Sequence, residues 1–375
     1  MRLLSLDVED FRNIGRAHLE PSPRATLLVG PNGQGKTNLL EAIYLACTLR
    51  PLRAARLVEL VRFGCPCAVV EANVLGPGGP RRLTVKVTAH ARTAFLDQKP
   101  LEKVDGYFEG LAAVCFSPDD LMLVKGGPEG RRRFLDRAAF NRWPAVLSEA
   151  RDYVRALRAR NAALRTAPQD VEVSFRMPLV RAGARLLVRR MELLREISPR
   201  FEEAYRRITG PLGPRASLEY RPAAGMPRSG TEDELRDHLA RALEGRTDRD
   251  RERGYTSAGP HVDDLALLLD GHGARSFASQ GQQRALVLAL KVAEIENLRH
   301  ALGRPPLLLL DDVSSELDPE KNRFLLAYLS NLTGQAFLTT TDRRLLEAAA
   351  GPETAFYNVD HGTFTPFFPG VISGT

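Results

Sequence analysis

Apolar and polar positions alternate at the start of the chain. Leu3, Leu4, Leu6 and Val8 predict a strand ending near Asp10-Phe11-Arg12-Asn13. A second apolar run, Ala25–Val29, predicts a strand that leads directly into a glycine-rich segment. Over 38–48 the apolar positions shift to helical spacing, with Leu39, Leu40, Ile43 and Ala46 or Cys47 on one face. Between 68 and 95 the alternation returns. Residues 69–75 are apolar, Gly76-Pro77-Gly78-Gly79-Pro80 reads as a turn, and Leu83, Val85 and Val87 alternate with Thr84, Lys86 and Thr88. Antiparallel strands are expected there.

Gly126-Gly127-Pro128-Glu129-Gly130 reads as a boundary, after which the pattern is helical and rich in arginine. Leu187, Met191, Leu194, Phe201, Tyr205 and Ile208 recur near helical spacing and predict a buried face. Pro199 is expected to start a new helical segment, because a proline inside a helix lacks the N–H and clashes with the preceding turn. A second loop-rich boundary covers 222–231, a polar helix follows over 232–243, and from Gly259 strand and helix patterns return. No internal repeat, low-complexity tract or sustained heptad run is present.

A length of 375 residues suits two lobes, or one large domain with an insertion. With 43% apolar and 26% charged residues the chain can build a packed core. Its longest aliphatic runs, such as 307–310, fall far short of the roughly 20 residues of a membrane-spanning helix. The N-terminus turns acidic at Asp7 and Glu9, unlike a signal peptide. A cytoplasmic protein with no membrane partner is expected. Cys47, Cys65, Cys67 and Cys115 do not match zinc spacing and are expected to be reduced, small hydrophobic residues.

The net charge of +7 is unevenly placed. Residues 131–215 hold 20 Arg, no Lys and 9 acidic residues, a local charge of +11 that leaves −4 for the rest. Such a basic middle favours a phosphate-rich partner, most simply nucleic acid. Arg181, Arg185 and Arg189, four apart on one helix face, are the candidate DNA contacts.

Gly30-Pro31-Asn32-Gly33-Gln34-Gly35-Lys36-Thr37 fits the phosphate-loop pattern G-x-x-x-x-G-K-[ST], here between a predicted strand and helix. Glycines let the backbone N–H groups turn toward phosphates, and the helix N-terminus adds its positive end. Lys36 is expected to reach the β- and γ-phosphates of ATP, and Thr37 to ligate Mg²⁺. Leu307-Leu308-Leu309-Leu310-Asp311-Asp312 reads as a buried parallel strand ending in acids, the Walker B pattern. Asp311 is expected to hold Mg²⁺, and Asp312 to polarise the attacking water. Ser279-Gln280-Gly281-Gln282-Gln283-Arg284 opens an apolar helix over 285–298. By itself it reads as an N-cap. His261, between Gly259-Pro260 and Asp263-Asp264, is read as structural or facing DNA or an interface rather than as a metal ligand. The lone Trp143 is read as core rather than as a base-stacking platform.

The order of these motifs resembles ABC-type ATPases. Ser279, Gly281 and Gln282 then stand where the signature motif lies, and Ser314-Ser315-Glu316-Leu317-Asp318-Pro319 resembles the D-loop. Phe11-Arg12-Asn13, the run from Asn32 through Asn38 to Tyr44, Phe116-Ser117-Pro118-Asp119-Asp120-Leu121, Leu123-Val124-Lys125-Gly126, Arg131-Arg132-Arg133-Phe134-Leu135-Asp136 and Gly259-Pro260-His261-Val262-Asp263-Asp264 narrow the likeness further. They resemble the bacterial RecF family of SMC-like ABC-type ATPases, over nearly the whole chain.

The resemblance implies an α/β fold: an ABC-type P-loop ATPase head with a mixed sheet, flanking helices and an antiparallel β subdomain, plus a compact helical lobe and no long coiled coil. It divides the chain into 1–125 (head, with Walker A), 126–254 (Arg-rich helical lobe) and 255–375 (head, with signature, Walker B and D-loop). It implies ATP and Mg²⁺ as cofactors and an ATP-sandwiched homodimer, in which the signature meets the nucleotide of a second copy. It further implies binding to duplex, single-stranded or gapped DNA, and work with RecR and RecO in placing RecA during recombinational repair.

Three departures suit a slow clamp better than a fast motor. Asp312 stands where Glu is usual. Thr340-Thr341-Asp342 offers no switch histidine. No clear Q-loop glutamine is seen, and 116–120 occupies that region. A transporter's nucleotide-binding subunit is the less favoured reading, given the RecF-like segments and basic lobe. A nuclease-coupled ATPase is also less favoured, because little chain follows the D-loop.

Overall fold

A computed structural model describes residues 2–53, 56–101, 107–108, 111–166, 168–222, 225–313, 317–341 and 353–368. The chain forms two compact units, one from 1–120 with 298–375 and one from 121–297. The segment 255–297, grouped from sequence with the C-terminal head, thus packs in this structure with the helices of the second unit.

The first unit holds two six-stranded sheets. One is antiparallel throughout, in the order Ile14–Leu19, Arg2–Phe11, Cys67–Gly76, Gly79–Thr88, Arg92–Leu96, Lys99–Pro100. Leu3, Leu6, Val8 and Phe11 are buried, and a register shift between Leu3 and Ser5 explains the three-residue step from Leu3 to Leu6. Gly76 pairs with Gly79 around Pro77-Gly78, the expected turn. The other sheet runs Thr363–Phe367, Thr354–Asp360, Ala25–Val29, Ala336–Thr340, Leu307–Asp311, Ala113–Phe116, parallel except for its first hairpin edge. All four leucines of 307–310 are buried, as a strand covered on both faces requires. Helix Lys36–Thr48 contacts strands of both sheets. Cys47 and Cys115 are buried and none of the four cysteines forms a disulfide.

The second unit is mainly helical, with a three-stranded sheet of His272–Gly273, Asp264–Leu269 and Ala216–Arg221. The glycine-proline run at 126–130 starts a helix: Pro128 opens Pro128–Arg142, where its missing N–H costs nothing. Leu187, Met191, Leu194, Phe201, Tyr205 and Ile208 are all buried. Pro199, however, does not begin a new segment. Helix Gln169–Thr209 runs unbroken for 41 residues through Pro178 and Pro199. An interior proline costs about 3 kcal/mol. Ile197 and Phe201, both 0% exposed, anchor the helix on either side of it. Near Pro199, Ser198 Oγ donates to Leu194 O (2.6 Å) and Arg200 Nη1 to Glu196 O (2.5 Å). This helix packs against Val146–Thr166 and Glu232–Glu244 of its own unit, so its apolar stripe is core. Thr231 and Glu234 close a reciprocal capping box on the last of these.

The unit's arginines are partly internal. Arg160, 0% exposed, donates to Glu172 (2.7 Å), Asp250 (2.8 Å) and Thr256 (2.8 Å). Arg190 donates to Asp136 (2.8 Å) and the Pro260 carbonyl (2.6 Å). Arg131 forms a two-bond pair with Asp264 (2.7 and 2.9 Å). No helix among the described residues is long and apolar enough to cross a membrane.

Candidate nucleotide site

Strand Ala25–Val29 delivers the chain to the C-terminal edge of the parallel sheet, and helix Lys36–Thr48 starts there. Gly30 is packed so closely that a Cβ would lie 2.2 Å from the Val359 carbonyl oxygen. Gly33 (φ 80°) and Gly35 (φ 114°) take left-handed conformations that a side chain would strain. No side chain caps the helix at Gly35, and its first turn carries no acid. The helix N-terminus is therefore kept for an anion.

Lys36, 6% exposed, donates through Nζ to the carbonyls of Gly30 (2.5 Å) and Pro31 (2.8 Å) of its own loop. Burial lowers its pKa, and Asp312 and Asp311 oppose that shift. Thr37 Oγ1 donates to Asp311 Oδ1 at 2.6 Å, so the two motifs meet. These groups fit Mg-nucleotide: a hydroxyl and a carboxylate are hard oxygen ligands, and Mg²⁺ ordinarily takes one or two carboxylates with phosphate oxygens. The described residues hold no cluster of three or more His, Cys, Asp or Glu that would build an all-protein cage.

The loop is braced from outside. The Asn38 amide donates to Asn13 Oδ1 (2.8 Å), and Arg12 pairs with buried Glu41 (2.9 Å). The N–H of Gly362 donates to the Gln34 carbonyl (2.8 Å), and that of His361 to Gln34 Oε1 (2.7 Å). The loop residue Asn32 is exposed.

Sequence reasoning missed two neighbours of Asp311. Arg53 Nη2 lies 3.4 Å from Asp311 Oδ2, with Asp119 3.9 Å away on its other side. Thr339 Oγ1 donates to Asp311 Oδ1 (3.0 Å) and accepts from the N–H of Asp312 (2.8 Å). Three threonines at 339–341, at the C-terminal end of an apolar strand, were the available signal. Asp312 does not continue its strand: its φ is 49°.

Ser279, Gly281 and Gln282 lie at the start of helix Gln280–Leu302 in the second unit. The N–H of Ser279 donates to Gln282 Oε1 (2.8 Å), and that of Gln282 to Ser279 Oγ (3.3 Å), a reciprocal capping pair on an exposed turn. Asp318 caps helix Pro319–Asn331 by accepting from the Lys321 N–H (3.0 Å), and its bonds to Lys321 lower its pKa against the cost of burial. Ser314, Ser315, Glu316 and Asp342 lie outside the described residues. In the region expected to hold a Q-loop, the Asp120 carboxylate closes a turn by accepting from the Ser117 N–H (2.8 Å).

The three candidate DNA arginines are not equivalent. Arg181 and Arg185 are exposed, and Arg185 reaches Glu232 at 3.5 Å. Arg189 is half-buried between Glu149 (3.5 Å) and Glu192 (3.4 Å). It also lies 5.5 Å from the Trp143 ring, which Arg142 faces at 4.8 Å. Trp143 is thus half-buried beneath cations rather than core, because it ends a helix at the surface of its unit. His261 is structural: Nε2 donates to the Thr256 carbonyl (2.9 Å), leaving Nδ1 to accept from Tyr153 (2.6 Å), and burial lowers its pKa.

The family described as RecF/RecN/SMC N-terminal domain matches residues 2–363. The chain is 67% identical over 366 residues to the DNA replication and repair protein RecF of Anaeromyxobacter sp. (strain Fw109-5), covering 98% of this chain and 99% of that one. Against the RecF of Myxococcus xanthus (strain DK1622) it is 50% identical, covering 96% of each. A solved structure of the recombination mediator protein RecF-ATP in the RecFOR pathway superposes with TM-score 0.87 at 27% identity, covering 98% of this chain and 99% of that one. An Smc head bound to the C-terminal winged-helix domain of ScpA shares the fold at TM-score 0.55 and 15% identity, covering 98% and 97%. The architecture is the mixed α/β ATPase fold of RecF structures and Smc heads.

Proposed function

We propose a role for this chain on one premise: it belongs to the RecF/RecN/SMC N-terminal domain family, and within it to the RecF family of DNA replication and repair proteins. On that premise the chain is an ATP-dependent DNA-binding clamp of recombinational repair and replication-fork maintenance. ATP binding joins two copies on DNA, and slow hydrolysis releases them. It works in the cytoplasm with RecR and RecO to help load RecA at gaps.

The observation that carries this reading is the 2.6 Å bond between Thr37 and Asp311, which joins the phosphate loop to the end of the Walker B strand. Bound Mg-ATP supplies the electrophilic γ-phosphate. Around it the N–H groups of 33–37 would orient the phosphates, and Lys36 would exchange its two loop carbonyls for phosphate oxygens. Thr37 and Asp311 hold the cation. Asp312 accepts the proton of the attacking water, and its short side chain suits slow turnover. Ser279, Gly281, Gln282 and Asp318 contribute from the second copy. In these terms 1–125 and the part of 255–375 from 298 on act as the head and 126–254 as the DNA-facing lobe, with 255–297 packed in the lobe's unit.

The test is DNA affinity on gapped, single-stranded and duplex substrates, with and without ATP. ATP is expected to tighten binding at least tenfold, about 1.4 kcal/mol, and Lys36→Met to remove that gain. An equal ATP response in Lys36→Met would overturn the reading.

A further inference from the structure

We propose that Thr339 is the positioning residue that sets the Walker B pair, orienting Asp311 toward the cation and holding Asp312 in its left-handed turn. The proposal rests on the nucleotide-site reading above and adds a residue that the motifs do not contain.

Thr339 lies beside Asp311 in the parallel register of strands Leu307–Asp311 and Ala336–Thr340 and is 3% exposed. A hydroxyl can donate one bond and accept others, and this one does both. It donates to Asp311 Oδ1 (3.0 Å) and accepts from the Asp312 N–H (2.8 Å). Oδ1 also accepts from Thr37 Oγ1 (2.6 Å). The two hydroxyls therefore fix the rotation of the carboxylate through Oδ1, while Oδ2 makes the looser 3.4 Å contact with Arg53. Buried ligand carboxylates need such partners to present one oxygen reproducibly.

The second bond does different work. Asp312 has φ 49°, a left-handed conformation uncommon for a residue with a side chain. Its N–H donates to the Thr339 oxygen just beyond the end of the strand. That one side chain thus ties the conformation of Asp312 to the orientation of Asp311. Valine at 339 would keep the shape and β-branching of threonine and delete both bonds. Serine would keep the bonds and delete only a methyl group.

The experiment measures equilibrium binding of a fluorescent ATP analogue to the full chain, in EDTA and across a Mg²⁺ titration. In Thr339→Val the Mg²⁺ concentration for half-maximal binding is expected to rise about tenfold, the usual scale for losing a ligand's hydrogen-bond partner. In Thr339→Ser it is expected to return to the wild-type value. A Val variant with the wild-type Mg²⁺ response would overturn the proposal. So would a Ser variant as impaired as Val, because packing rather than the hydroxyl would then be responsible. Wild-type protein that binds no nucleotide, or binds it without regard to Mg²⁺, would instead remove the nucleotide-site reading itself.

Discussion

The phosphate loop and the arginine-rich helices both suggest phosphate binding in the sequence, yet the folded chain treats them in opposite ways. In the loop, Lys36 rests on two backbone carbonyls, and the N-terminus of helix Lys36–Thr48 has no side-chain cap. Such partners can be exchanged for a ligand at little cost. In the helical unit, Arg160, Arg190 and Arg131 are tied to buried or half-buried carboxylates by bonds of 2.7–2.9 Å. Those partners cannot be exchanged, since a buried charge left alone is strongly unfavourable. The local charge of +11 over 131–215 therefore overstates what a nucleic acid would meet. A motif whose function lies in backbone geometry can be read from contiguous residues. A charge count cannot, because residues as far apart as Arg160 and Asp250 find each other on folding.

The sharpest way to break this comparison is to remove an internal arginine. Arg160→Met would leave Asp250 buried without its Arg160 partner and Glu172 with Arg176 alone. A loss of about 3–5 kcal/mol is expected in urea unfolding. A change below about 1 kcal/mol would mean that this arginine is not held as described.

A smaller effect should separate the surface arginines. Arg181→Glu with Arg185→Glu is expected to weaken DNA binding about tenfold at low salt and to reduce the slope of log affinity against log salt by roughly 2. Arg189→Glu is expected to change DNA affinity less than about twofold, while costing about 1 kcal/mol of stability by breaking its pairs with Glu149 and Glu192. Equal effects on DNA from both variants would erase the distinction between exposed and half-buried arginines.

The strands at 3–8, 25–29, 69–87 and 307–310 were legible because their burial follows the apolar pattern, down to the four leucines before Asp311. Helix Gln169–Thr209 was not, because local proline chemistry argues for a break at Pro199 and only the packing around Ile197 and Phe201 overrules it. The phosphate loop could be read in full. Its outer braces could not: Asn13, His361 and Gly362 are distant in sequence and act largely through backbone groups. Thr339 escaped for a related reason, since the strand register that brings its hydroxyl to Asp311 joins residues far apart in sequence. The signature segment was legible as a helix cap, and its capping pair alone gives no sign of a second role.

That second role is the centre of the proposed mechanism and can be isolated by one substitution. Ser279→Arg places a bulky cation on the exposed turn of the second unit and leaves the phosphate loop untouched. Light scattering of the full chain with and without ATP, alongside nucleotide binding, reads the outcome. The expected result is nucleotide affinity within about twofold of wild type, less than 0.5 kcal/mol, with the ATP-driven doubling of mass abolished. A variant that still dimerises on ATP, or a monomer that no longer binds nucleotide, would contradict a site shared between two copies.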